Sequence, residues 1–217
     1  KEDDRKKRSV KSALVLSGGG AKGAYQVGVI EELLERGVEF DLVTGSSIGA
    51  FNGALLAEFI NSGLSNQEII KRYNRVWSDV KDFLGLNWGE FFKYIFTPFK
   101  ISSIFTNKYM KKILDKYIPE NRKFSAYNNC QLSVTGTNLN DYELEVFDFN
   151  SSVPVNKAVL ASMAYPGALP AVNINNDFYI DGGTLNNAPL KEAILWGAKL
   201  IFVVFLVPLK TISGSDY

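Results

Sequence analysis

Two short, mostly apolar runs, Ala13-Leu14-Val15-Leu16 and Phe40-Asp41-Leu42-Val43-Thr44, each stop at a glycine-rich turn and pass straight into residues with helical spacing. A short apolar run ended by glycine reads as a buried strand feeding a tight turn. After the first turn, Gly18-Gly19-Gly20, the residues Val27, Ile30 and Leu34 recur on one helical face, and Arg36-Gly37 supplies a basic last turn with a glycine stop. After the second, Gly45 to Gly49, a helix is predicted from Ala50 to Ile60, closing near Asn61-Ser62-Gly63. Strand, turn and helix in succession, twice, predict an α/β fold in three layers: a mainly parallel central sheet with helices on both faces. In such sheets, sites lie at the strand ends.

A chain of 217 residues, 46% of them hydrophobic, buries one sizeable core. Residues 12–217 therefore read as one domain, and the mixed-charge run 1–11, which lacks apolar periodicity, reads as a solvated arm. Leu132 to Thr137 and Tyr142 to Phe147 read as a hairpin at the sheet edge, because Glu143 and Glu145 alternate with Leu144 and Val146. Pro154 opens a helix, Phe178 to Ile180 is a strand, Pro189 to Trp196 a helix, and Leu200 to Val207 a last buried strand. The net charge of +1 leaves no electrostatic footprint for nucleic acid. No apolar run reaches the length of a bilayer-spanning helix, and the lone Cys130 suits a reducing compartment, so a cytoplasmic location is expected.

The sharpest local signal is Gly45-Ser46-Ser47-Ile48-Gly49 between a strand and a helix. In that context the central serine, Ser47, sits on a strained turn with its hydroxyl projecting, and the glycines let neighbouring backbone approach. Gly49, Gly53 and Ala57 give the following helix a smooth stripe for close packing. A serine hydroxyl needs a base, and the chain contains no histidine, which leaves a carboxylate or a lysine. Asp181 is the best carboxylate: it ends the apolar stretch Phe178-Tyr179-Ile180 and precedes Gly182-Gly183. Lys22 is the alternative, but a lysine base must lose its charge through burial, which an open glycine turn does not provide.

The remaining turn, Gly18-Gly19-Gly20-Ala21-Lys22-Gly23, presents backbone N–H groups at a helix start. Such donors suit the oxyanion of an ester-hydrolysis intermediate, and equally a phosphate. Gly18, Gly20 and Gly23 also match the dinucleotide fingerprint, but that fingerprint wants an acidic residue closing the second strand, whereas Asp41 opens it. Three classes follow: a serine hydrolase, a nucleotide-binding protein, and a lipid-binding module without chemistry.

In order along the chain, Gly18 to Gly23, Gly45 to Gly49 and Asp181-Gly182-Gly183 resemble the motifs of the patatin-like phospholipases. The resemblance is reinforced by Ala161-Ser162-Met163-Ala164-Tyr165-Pro166-Gly167 and Asn187-Ala188-Pro189, and runs from about Leu14 to Val207. It implies a Ser47-Asp181 catalytic dyad, an oxyanion hole at Gly18, Gly19 and Gly20, an acyl-lipid or phospholipid substrate, and neither metal nor cofactor. Between residues 71 and 124 it assigns nothing. There Trp77, Phe83, Trp88, Phe91, Phe92, Tyr94, Phe96 and Phe99 are interleaved with Lys81, Lys93 and Lys100, then with Lys108, Lys111 and Lys112. That mixture suits either a membrane interface, making the bilayer surface a partner, or a helical cap whose aromatics are core.

Overall fold

The computed structural model describes residues 10–84 and 107–207. β1 (Ser12–Leu16) lies between β2 (Leu42–Gly45) and β7 (Leu200–Val204), parallel to both. A strand with a neighbour on each edge and helices on each face has no wet side, which is why its sequence is continuously apolar. β3 (Gln131–Asn138) continues the parallel set beyond β2, and β4 (Leu144–Phe147), β5 (Val172–Ile174) and β6 (Asp177–Asp181) add antiparallel strands. The order is β5-β6-β3-β2-β1-β7, with β4 also paired to β3.

β3 is the longest strand, and one of its edges serves two partners. Gln131 to Val134 pair with β2 and Gly136 to Asn138 with β6 on that edge, while β4 takes Val134 to Thr137 on the other. β2 and β6 therefore meet nose to nose. Gly45 stands opposite Val134, and Asp181 opposite Gly136.

Side-chain alternation along β1 sorts the molecule into layers. Leu14 and Leu16 face the larger core, with α1 (Gly23–Glu35), α2 (Ile48–Asn61), α3 (Asn66–Leu84), α4 (Asn107–Tyr117) and α5 (Val155–Ser162). Ala13 and Val15 face the smaller one, closed by α6 (Leu190–Leu195) and the buried Trp196. Helices thus cover both faces, unequally. The stripe on α2 lies flat on the sheet: a Cβ at Gly49 would stand 2.2 Å from the Leu16 carbonyl oxygen, and one at Gly53 2.9 Å from Val43 Cγ1.

Three expectations change, and one strand was not foreseen. Val10, placed in the arm, is buried against the smaller core, and the Lys11 carbonyl accepts from the Lys199 and Leu200 N–H groups, so the fold begins at Val10; residues 1–9 lie outside the described residues. Of the hairpin, only β4 is an edge strand; β3 is buried throughout because strands flank it on both sides. The last strand ends at Val204 and is an edge, with Leu200 54% exposed, because β1 alone pairs with it. The sequence reading passed over β5, which joins β6 through Asn175 and Asn176, both at positive φ (52° and 73°), a two-residue hairpin turn that matches the strand twist.

The described ends of the aromatic, basic segment pack as core. On α3, Ile69, Tyr73, Val76 and Val80 form a buried stripe, and on and just after α4, Ile113, Leu114 and Ile118 do the same. Trp88 to Phe99, with Lys93 and Lys100, lie outside the described residues. Among the described residues, no helix is long and apolar enough to cross a membrane.

Candidate active site

β2 ends at Gly45 and α2 begins at Ile48, so two residues must turn the chain from strand to helix. Ser46 is held first, its N–H donating to the Leu16 carbonyl at 3.2 Å. Ser47 then takes φ 55° and ψ −126°, a conformation L-residues avoid at a cost of about 1–3 kcal/mol. The turn closes only because its flanks are glycine: a Cβ at Gly45 would lie 2.3 Å from the Gly49 carbonyl oxygen. The Ser47 N–H donates at 2.9 Å to the hydroxyl oxygen of Ser162, at the end of α5. This bond fixes the strained residue from outside the turn.

Asp181 arrives from the opposite direction. Because β6 stops just beyond the end of β2 on the shared edge of β3, its last residue faces the turn that leaves β2. The Ser47 hydroxyl donates to Asp181 Oδ2 at 2.5 Å, and the Gly183 N–H donates to Oδ1 at 2.7 Å. The Asp181 backbone is gripped as well, its N–H by the Ala164 carbonyl and its C=O by the Thr137 hydroxyl, each at 3.0 Å. Gly182 must be glycine here, since a Cβ would stand 2.3 Å from the Thr135 carbonyl oxygen. Burial raises the Asp181 pKa from its ordinary 3.8 to about 6, against the opposing pull of the hydrogen bonds from Ser47 and Gly183. Of the two adjacent serines, Ser47 meets the carboxylate, whereas the Ser46 hydroxyl is buried without a partner among the described residues.

The glycine turn after β1 faces the same place: a Cβ on Gly18 would fall 3.1 Å from Ser47 Cβ, and one on Gly23 2.3 Å from Ile48 Cγ1. One assignment changes. The Gly18 N–H donates to the Asn187 carbonyl at 2.9 Å, so it is not free to receive an anion, although the resemblance placed it in the oxyanion hole. The N–H groups of Gly19 and Gly20 have no acceptor among the described residues. Gly20 reaches this geometry with φ 58°. Lys22 is exposed, and the Ser47 hydroxyl is committed to Asp181 rather than to it. Asp41, which stands at the opening of the second strand and not at its close, where the dinucleotide fingerprint wants an acidic residue, caps the far end of the sheet, where its Oδ2 accepts from the N–H groups of Lys11 and Ser12.

Sequence reasoning gave no role to Ser162, Asn187 or Gln26. The first two lie in the segments that reinforced the family resemblance, but their tasks depend on partners 115 and 169 residues away. Gln26 had a local signal: it is a polar residue on the buried face of α1, beside Val27 and one turn before Ile30.

A family model described as patatin-like phospholipase matches residues 14–194. The chain is 31% identical over 191 residues to Lysophospholipase NTE1 of Kluyveromyces lactis, covering 88% of this chain and 12% of that protein. It is 31% identical over 194 residues to Patatin-like phospholipase domain-containing protein 6 of Homo sapiens, covering 88% and 13%. Lysophospholipase nte1 of Aspergillus terreus is 32% identical over 197 residues, with 88% and 12% covered. The chain spans about an eighth of the length of these curated relatives.

Proposed function

The chain belongs to the patatin-like phospholipase family, and on that premise we propose that it is a serine acyl hydrolase that cleaves fatty acyl esters of lipids, of the phospholipase A or lysophospholipase type. Ser47 is the nucleophile, Asp181 its base, and Gly19 and Gly20 supply the oxyanion donors. The observation that carries this reading is the 2.5 Å hydrogen bond from Ser47, held at positive φ, to a buried carboxylate. A hydroxyl without an adjacent base is a poor nucleophile, and here the group bonded to it is a carboxylate lifted towards neutrality.

The reaction has two halves. As the Ser47 oxygen attacks the ester carbonyl, its proton passes to Asp181 Oδ2, and the former carbonyl oxygen becomes an anion held by backbone N–H groups, each worth roughly 3 kcal/mol in such sites. The tetrahedral intermediate then expels the alcohol portion of the lipid, which takes the proton from Asp181. Water, deprotonated by Asp181, attacks the acyl-serine, and the proton returns to Ser47 as fatty acid leaves. A carboxylic acid with a pKa near 6 readily protonates a departing alkoxide, and an ester therefore suits the site better than an amide.

The domain read over residues 12–217, its start moved to Val10, acts as one catalytic unit, and the lipid substrate places its work at a membrane or micelle surface as a peripheral protein. Labelling by a fluorophosphonate probe tests the chemistry. The wild type should label and hydrolyse a defined mixture of phospholipids and lysophospholipids, and Ser47→Ala should do neither. A wild type that binds lipid vesicles but never labels would make the chain a lipid-binding module.

A further inference from the structure

Gln26 and Asn52 are fully buried where α1 and α2 cross beneath the glycine turn. Side-chain amides are costly inside an apolar interface unless their hydrogen-bonding capacity is used, and here it is. The Asn52 amide donates to the Gly23 carbonyl and to Gln26 Oε1, both at 2.9 Å, and its Oδ1 accepts from Trp77 Nε1 at 3.2 Å. The Gln26 amide in turn donates to the Ser17 carbonyl at 2.7 Å. This sequence of donors fixes both amides, since flipping either would set N–H against N–H. The Tyr73 hydroxyl braces Asn52 at its carbonyl, 2.6 Å away, so α3 holds the network through two side chains.

Ser17 immediately precedes the turn. The peptide plane between Ser17 and Gly18 is gripped at both ends: its C=O by Gln26 and its N–H by the Asn187 carbonyl. The next plane is gripped at its C=O, which accepts from the Ser17 hydroxyl at 3.1 Å, while its N–H, that of Gly19, is left without an acceptor among the described residues. Three consecutive glycines are conformationally soft, yet an oxyanion donor helps most when it does not have to reorient. The rigidity must come from outside the turn.

We propose that Gln26 and Asn52 are positioning residues for ester hydrolysis: by holding the Ser17 carbonyl they aim the Gly19 and Gly20 N–H groups at the oxyanion, with Trp77 of α3 as their strut. This rests on the reading of Ser47 and the glycine turn as hydrolytic machinery.

Gln26→Met, which keeps side-chain length and removes the donor to Ser17, tests it in the full chain. Three quantities are read: kcat and KM on p-nitrophenyl butyrate, affinity for an alkyl trifluoromethyl ketone that forms an oxyanion on serine, and the unfolding temperature. The expected result is a fall in kcat of about tenfold or more with KM within about twofold, and a loss of ketone affinity matching the loss in kcat/KM. A merely structural role would lower the unfolding temperature without that match. A folded Gln26→Met protein with wild-type kcat and ketone affinity overturns the proposal. If Gln26→Met does not fold, Trp77→Phe decides: it removes the bond to Asn52 Oδ1 together with the part of the indole beside Gly23, so a roughly two- to fivefold fall in kcat with a parallel fall in ketone affinity supports the network, and unchanged ketone affinity overturns it. A wild type without Ser47-dependent hydrolysis overturns both this proposal and the functional reading. An active wild type with an indifferent network overturns this proposal alone.

Discussion

At Ser47 and Ser46, chemistry and stability separate within one dipeptide. Ser47→Ala removes the atom bonded to Asp181 and should abolish turnover with the fold intact, while Ser46→Ala deletes a buried hydroxyl that has no partner among the described residues and should keep most activity with unchanged or slightly higher stability. Equal loss of activity in both would move the nucleophile elsewhere. Asp181 opposes the two properties within a single side chain. Its pKa in the folded protein, about 6, lies above the ordinary 3.8, so the folded state holds a proton that the unfolded state releases between those values, and stability falls as pH rises through that window. Asp181→Asn escapes this penalty. It should be inactive yet more stable at neutral pH, by up to roughly 2–3 kcal/mol, with the gain vanishing below pH 4. The wild type should show an acid limb of kcat/KM near pH 6, where Asp181 loses its proton. Residual turnover in Asp181→Asn, or a limb near pH 4, would mean another base.

At the scale of single elements, three helical glycines predict three outcomes. Gly49→Ala drives a methyl into the Leu16 backbone at 2.2 Å, inside a central strand that cannot retreat, and should cost several kcal/mol or prevent folding. Gly53→Ala meets only the end of the Val43 side chain at 2.9 Å and should cost less. Gly28→Ala on the exposed side of α1 meets nothing within 4 Å and should stabilise by about 0.5–1 kcal/mol. Thermal unfolding in that order checks the packing of α2 on the sheet. The same contrast explains what was legible in the sequence. The opening strand-turn-helix units were readable because apolar runs and glycines are local signals, and Ser47 stood out within them. Asp181 is legible as the best carboxylate from its place at a strand end before Gly182-Gly183, but that the two form a dyad rests on the family resemblance, because no spacing rule joins residues 134 apart. β5, three residues long with Asn173 in the middle, carries too little pattern to be read as a strand. The commitment of the Gly18 N–H could not be read either, since its acceptor, Asn187, is brought in by the loop after Gly183.

For the whole molecule, the lipid substrate predicts surface behaviour. If the aromatic, basic segment 71–124 docks on bilayers, binding to vesicles should rise with anionic lipid content and weaken with salt, and charge reversal at Lys93 and Lys100 should reduce it. Binding indifferent to both would make the segment an ordinary cap, in keeping with the buried stripes of α3 and α4 at its described ends. The abutment of β2 and β6 on β3 also has a kinetic consequence. The nucleophile turn belongs to contacts close in sequence, whereas the carboxylate joins only when a strand 134 residues later docks in register, and distant loop closure is slow. Recovery of esterase activity after dilution from denaturant should therefore lag behind the return of helical circular dichroism, because β1, α1, β2 and α2 can assemble while β6 is still searching for its edge. Coincident recovery of the two signals would show that the sheet closes in one cooperative step. A lag would make catalysis the reporter of the docking of β6.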